Sequence, residues 1–164
     1  MPFIDSVLKE LERESASTVR ILERVPYDKL DWSPHPKSMT LGELAWHIAG
    51  IPKRVGQMLR EGVFEPKPGR PAGVPAETGA IAEGYRQNIE DLKNQIVAMG
   101  DEALREAFSM QRGGQTVMQI PKTGVVRSIL LNHTYHHRGQ LSVYLRLLDV
   151  PVPAMYGVSA DEGF

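Results

Sequence analysis

The chain of 164 residues contains no cysteine. Disulfides, thiolate metal ligands and a cysteine nucleophile are therefore excluded, and any metal must be bound by imidazole, carboxylate or backbone oxygen. An excess of one charge is also missing, since 19 Lys and Arg residues balance 20 Asp and Glu residues to a formal net charge of −1. Because no basic stripe breaks this balance, the sequence argues against nucleic acid as a partner.

Long apolar runs are absent as well. No run approaches the ~18 apolar residues that a membrane-spanning helix needs. The first residues, Met-Pro-Phe-Ile-Asp-Ser, lack the basic-then-apolar pattern of a secretory signal. We therefore expect no membrane partner and a cytoplasmic location. The length fits one domain that covers residues 1–164.

Apolar residues at helical spacing predict an all-α fold with four long helices. These helices run from about Phe3 to Val25, from Thr40 to beyond Leu59, from about Ala76 to Met99 and from about Gly124 to Leu148. Thr40 and Glu43 have the spacing of a capping box, and Gly100 is expected to close the third helix.

Two segments interrupt the helical pattern. The first is a Pro/Gly-rich loop between Gly62 and Pro75, and loops of this length in compact domains are often functional. The second comprises residues 107–112 and 115–120 on either side of Gly113-Gly114, which indicate a short hairpin. The sequence thus predicts a four-helix bundle with a long loop between helices 2 and 3 and a short hairpin before helix 4.

Three of the five histidines fall within residues 133–137 of the fourth helix. Residues four apart lie one above the other on a helix, so His133 and His137 can direct their imidazoles to one point. A helical wheel places His133 at the centre of an apolar stripe that we expect to be buried. His136 lies about 100° from His137, so we interpret it as a supporting or surface residue.

A third ligand should come from another helix. His47 borders the apolar face of the second helix, whereas His35 lies in the loop Pro34-His35-Pro36 and is the poorer candidate. A site of His47, His133 and His137 would leave one coordination position open for water or substrate. Imidazole ligands suit zinc, nickel and iron(II), so the identity of the metal stays open.

Three segments together resemble the DinB-like family of metal-binding four-helix bundles: residues 30–47, residues 132–141 and residues 153–162. They occur in the family's order and spacing and span nearly the whole chain. The resemblance implies metal ligation by one histidine of helix 2 and by the first and third histidines of the helix 4 cluster. These are His47, His133 and His137. Some relatives are thiol-dependent S-transferases or isomerases, in which the metal binds a low-molecular-weight thiol cofactor as thiolate.

Two functions compete on this evidence. The first is a metal-dependent transferase or hydrolase, with or without a thiol cofactor, that acts on a small molecule. The alternative is a non-catalytic metal-binding module of a stress response. If the protein is an enzyme, Gln140 is the best neighbouring pocket residue, since Arg138 is expected to point about 140° away from His133, towards solvent. Tyr144 lies on the histidine side and is more typical of the core.

An outward-facing apolar pair suggests a homodimer. Leu131 and Tyr135 are predicted to lie about 160° from His133, on an otherwise polar side of the helix. Such a pair can mark a contact between two copies of the chain.

Overall fold

Helices make up most of the computed structural model, which describes residues 3–163. The elements are α1 (Phe3–Leu22), α2 (Leu41–Glu61), β1 (Val63–Phe64), α3 (Ala80–Arg105), β2 (Ala107–Arg112), β3 (Gln115–Pro121), α4 (Lys122–Val125) and α5 (His133–Leu147). A 3₁₀ turn at Tyr27–Lys29 follows α1, and a π-helix at Val126–Asn132 joins α4 to α5. None of the helices in the described residues is both long and apolar enough to cross a membrane.

The prediction of an all-α fold is wrong in one respect, because a three-stranded sheet is present in the order β1-β2-β3. The antiparallel pair β2-β3 is the predicted hairpin. Strand β1 was missed, since two residues carry no alternation. Gly62 ends α2 in a left-handed conformation (φ 67°), and its carbonyl accepts a hydrogen bond of 2.9 Å from Ser109 N. This turn aligns β1 parallel to β2.

The capping box at the start of α2 is confirmed. Thr40 Oγ1 accepts from Glu43 N at 3.1 Å, and Glu43 Oε2 accepts from Thr40 N at 2.8 Å. Gly100, expected to end the third helix, does break its helical path with φ 75°, although helical turns resume and α3 ends at Arg105.

The predicted fourth helix is not uniform. It consists of α4, the π-helix and α5 in succession. A π-helix bonds residue i to i+5, so its angle per residue is smaller than the 100° of an α-helix. Directions predicted with 100° per residue are therefore wrong for Val126–Asn132, which lie in the π-helix. They remain valid for the residues of α5, from His133 onwards.

The burial around α5 corrects three predictions. A row of buried residues three or four apart runs from the π-helix into α5, and His137 is buried beside it; the row consists of Leu131, Thr134, Arg138, Leu141 and Leu145. Arg138 is only 2% exposed and does not point to solvent, and Leu131 is also 2% exposed. Tyr135 donates its hydroxyl to Glu10 at 3.0 Å. Leu131 and Tyr135 thus make contacts within the chain and do not support a dimer contact. The homodimer stays a prediction.

Arg138 forms a buried ion pair with Glu14 of α1. Its Nη2 lies 2.8 Å from Glu14 Oε2, and its Nη1 donates to Thr18 Oγ1 at 3.2 Å. The hydroxyl of Tyr156, in the C-terminal segment, donates to the same carboxylate at 2.6 Å. Burial alone would raise the pKa of Glu14, but the hydrogen bonds from Tyr156 and Arg138 outweigh it and hold the pKa below its ordinary value.

We predict that Arg138→Ala lowers the free energy of unfolding by about 3–5 kcal/mol, because it leaves the Glu14 carboxylate buried without a partner. The matched control is Arg86→Ala, which removes exposed ion pairs with Glu23 and Glu83 and should cost about 0–1 kcal/mol. Urea unfolding of both variants measures the difference. Equal losses in the two variants would show that the buried pair does not stabilise the fold.

Candidate metal centre

The three predicted histidines lie together. His47 comes from the first half of α2, His133 is the first residue of α5, and His137 follows one turn later. The Nε2 atoms of His47 and His133 are 3.0 Å apart, and those of His137 and His133 are 3.2 Å apart. Each pair of rings is nearly perpendicular, with interplanar angles of 79–83°. The three side chains therefore direct their nitrogens to one point from three directions.

Hydrogen bonding alone does not account for this arrangement. His133 Nε2 has two ring nitrogens within 3.2 Å. One imidazole nitrogen carries either one proton or one lone pair, so it cannot bond both neighbours well. Zinc binds imidazole nitrogen at about 2.0–2.1 Å, which places neighbouring ligand nitrogens roughly 2.9–3.4 Å apart. The observed separations fit a set of ligands around a cation.

All three imidazoles favour the neutral form that binds metals. Burial, together with the charges of His137, Arg54 and His133, lowers the pKa of His47 from 6.5 to about 3. Burial, with His137, His136 and Arg54, lowers the pKa of His133 to about 4. Burial also lowers the pKa of His137. At neutral pH the lone pairs of these rings are therefore available.

Gln140 orients His137. Its Oε1 lies 2.7 Å from His137 Nδ1, so Nδ1 carries the proton and donates it to the amide oxygen. The lone pair of His137 is then held on Nε2, which faces the other two rings. Gln140 was predicted to lie beside the site, and the structure places it there. Tyr144 instead donates to the Met39 carbonyl at 3.2 Å and stacks edge-on against Trp32, a packing role.

The remaining two histidines lie outside the cluster. His136 is exposed, as expected, although its ring centre lies 4.9 Å from that of His137. His35 is also exposed, and its Nδ1 accepts from the backbone N–H of Lys37 at 3.1 Å. Of the described residues, only His47, His133 and His137 bring three possible ligand atoms within 4.8 Å of one another. Their role as metal ligands stays a prediction.

The histidine face of α5 is more open than predicted. His133 was expected at the centre of a buried stripe, yet it is only half-buried, and Leu147 on the same face is 57% exposed. His137, by contrast, is buried, with 7% of its surface exposed. A ligand set that is only partly buried leaves room for a further group at the open coordination position.

A cavity of about 760 Å³ adjoins the cluster at His47. The cavity is also lined by Arg54, Gln57 and Glu61 of α2 and by the loop after β1. The loop is attached to α2, because Arg70 donates to the capping residue Glu43 at 3.1 Å. Sequence reasoning missed Arg54, although it lies seven residues after His47 and hence on the same face of the helix.

These features define a class of protein: a mainly helical fold that carries three histidines able to hold a metal ion between α2 and α5. The DinB family sequence pattern matches residues 1–163, and the chain belongs to this family.

Known relatives agree with this assignment. The chain is 30% identical over 166 residues to the uncharacterised protein YrdA of Bacillus subtilis, covering 97% of this chain and 91% of YrdA. Two crystal structures show a similar fold. A DinB-like protein of Bacillus cereus matches with a TM-score of 0.71 and 24% identity, over 93% of this chain and 97% of the other. The DinB-like protein YjoA of Bacillus subtilis matches with a TM-score of 0.69 and 16% identity, over 92% of this chain and 96% of YjoA.

We predict that His47→Ala and His137→Ala each abolish stoichiometric metal binding, because two imidazoles cannot hold the ion alone. His136→Ala is the matched control and should keep its metal. Gln140→Ala should weaken metal affinity about 10–100-fold, since it releases the orientation of His137. Elemental analysis and competition with a chelator measure these effects. Loss of metal in His136→Ala with retention in His137→Ala would contradict the ligand set.

We also predict that the metal-free protein loses stability as the pH falls from 7 to 5. The pKa values of His47 and His133 are lower in the fold than the ordinary 6.5, so the unfolded chain binds more protons in this range. Their stabilising contribution is complete above pH 6.5 and is lost as the pH falls towards their folded pKa values. Urea unfolding at pH 5, 6 and 7 measures the slope. It should be shallower in His47→Gln, and an unchanged slope would refute this explanation.

Proposed function

We propose that this chain binds one divalent metal ion through the Nε2 atoms of His47, His133 and His137 and acts as a metal-dependent, thiol-dependent transferase on a small molecule. The observation that carries the proposal is the convergence of three neutral imidazole nitrogens beside a cavity. Zinc, nickel and iron(II) all suit this set of ligands.

A divalent ion held there would lower the pKa of a bound thiol or water towards neutrality, which makes either one a nucleophile at pH 7. In the thiol reaction, R–SH and R′–X give R–S–R′ and HX, so a sulfur–carbon bond replaces the bond to the leaving group. With water in place of the thiol, the same site would hydrolyse R′–X to R′–OH and HX.

The protein's own residues contribute position and charge. The three rings stay neutral, so the ion would keep its full positive charge. Arg54 adds a cation beside the cavity. The loop after β1 lines one side of the cavity, and Arg70 of this loop donates to Glu43 of α2.

The proposal predicts metal-dependent consumption of a thiol. Protein purified without added metal is first analysed for zinc, nickel and iron, and then incubated with a panel of small thiols and electrophiles while free thiol is measured. We expect depletion by the wild type and by His136→Ala, and loss of depletion in His47→Ala and after chelation.

The rival function is a non-catalytic metal-binding module. It predicts full metal occupancy with no turnover across the panel of thiols and of hydrolysable esters. That outcome would overturn the enzymatic proposal while leaving the metal site in place.

A further inference from the structure

A second cavity, of about 480 Å³, lies between α2 and α3. Its walls include Trp46, Lys53 and Arg54 of α2 and Gln87 and Asn88 of α3. It shares His47, Arg54, Gln57 and Pro71 with the larger cavity, so these residues form the boundary between the two. The smaller cavity therefore reaches the same histidine as the larger one.

The two cavities differ in charge. The larger one is lined by Glu61 and Glu65 as well as by cations. The described residues that line the smaller one include Lys53 and Arg54 but no Asp or Glu. The smaller cavity is thus the part of the site that favours a negatively charged group.

Arg54 has no ionic partner among residues 3–163. Other arginines in this region are engaged: Arg60 donates to Gln95 at 2.6 Å, and Arg70 donates to Glu43. Arg54 is exposed and lines both cavities, so its guanidinium is open to an anion that arrives from solvent. The planar fork of the guanidinium matches the two oxygens of a carboxylate.

Arg54 also lies within reach of the histidines. It follows His47 by seven residues, which places it about two turns, or roughly 10 Å, further along one face of α2. Side chains of a helix lean towards its N-terminus, so the long side chain of Arg54 extends back towards His47. In agreement, the charge of Arg54 is among the causes that lower the pKa values of His47 and His133.

We propose that Arg54 is the anion-binding residue of this site and selects small molecules that carry a carboxylate. The carboxylate would lie in the cavity between α2 and α3, with the reactive end of the molecule at the three histidines. Trp46 supplies an apolar wall for the connecting atoms, and its ring fits there because α3 has a glycine at position 84, where a Cβ would come within 3.0 Å of the indole. This inference rests on the proposed function, since it names the substrate class of the same site.

The two tryptophans provide the test. Trp46 lines the cavity, whereas Trp32 stacks against Tyr144 elsewhere, so the indole N–H signals of ¹⁵N-labelled protein contain one reporter and one internal control. Trp32→Phe assigns the two signals. The probes are 3-mercaptopropionate and its neutral amide, which differ only in the carboxylate. Both are titrated into metal-free and into zinc-loaded protein.

We expect the Trp46 signal to shift and saturate, with the carboxylate bound about tenfold or more tightly than the amide, as a charged hydrogen bond requires. Arg54→Gln should abolish this preference. Arg60→Gln, on the same helix, should retain it, and zinc content should be equal in both variants. An equal Kd for acid and amide, or an unchanged preference in Arg54→Gln, would overturn the inference. Tighter binding of inorganic phosphate than of 3-mercaptopropionate would also overturn the inference that the site selects carboxylates.

The outcomes separate this inference from the proposed function. A carboxylate preference in metal-free protein without thiol turnover would sink the enzymatic proposal and keep the anion site. Turnover without any carboxylate preference would overturn the anion site and keep the enzymatic proposal.

Discussion

The buried ion pair between Glu14 and Arg138 fixes α5 against α1, and the position of the histidines depends on it. Arg138 directly follows His137, and adjacent residues of a helix point about 100° apart. An α5 whose Arg138 is held against α1 therefore presents His137 to the other side, towards α2. The same offset of one residue relates Thr134, which is buried, to His133. Thus Thr134 and Arg138, four residues apart, lie on one face of α5. His133 and His137, each one position earlier, lie on the other face.

The three histidines are neutral groups that could hold a metal ion. Carboxylate ligands would cancel much of the charge of a divalent ion, whereas three imidazoles would leave that charge whole. Arg54 lines the same region and has no ionic partner among the described residues. With a divalent ion bound, the region would carry an excess of positive charge, which anionic ligands such as a thiolate and a carboxylate would stabilise. The proposed thiolate nucleophile and the inferred carboxylate of the substrate would therefore both compensate positive charge at the site.

Sequence patterns predicted the parts of this structure that depend on local geometry. The spacing of His133 and His137, the capping box at Thr40 and the β2-β3 hairpin are short-range features, and each is present. The histidine from α2 was chosen from one apolar face, and packing of α2 against α5 places it beside His133 and His137.

What the patterns missed depends on tertiary contacts. Arg138 was assigned to solvent because a wheel drawn around one apolar stripe allows only one buried face. The repeat of Leu131, Thr134, Leu141 and Leu145 did mark a second buried face, but a charged residue within it hid the signal. Strand β1 exists only because β2 lies beside it. Arg54 is recognised by its place in the lining of both cavities beside His47, which depends on how α2 packs against α3 and the loop after β1.

The two halves of the site differ in how they are held, and this difference makes them separable. His47 and Arg54 lie on one helix, so the helical repeat alone sets their spacing. The distance from His47 to His133 instead depends on how α5 packs, and therefore on Glu14 and Arg138 across the bundle. We expect a disturbance of that ion pair to displace the nitrogens of His133 and His137 while Arg54 keeps its place on α2. Loss of metal affinity with retained affinity for a carboxylate is then the signature of a displaced α5, as distinct from a general loss of structure.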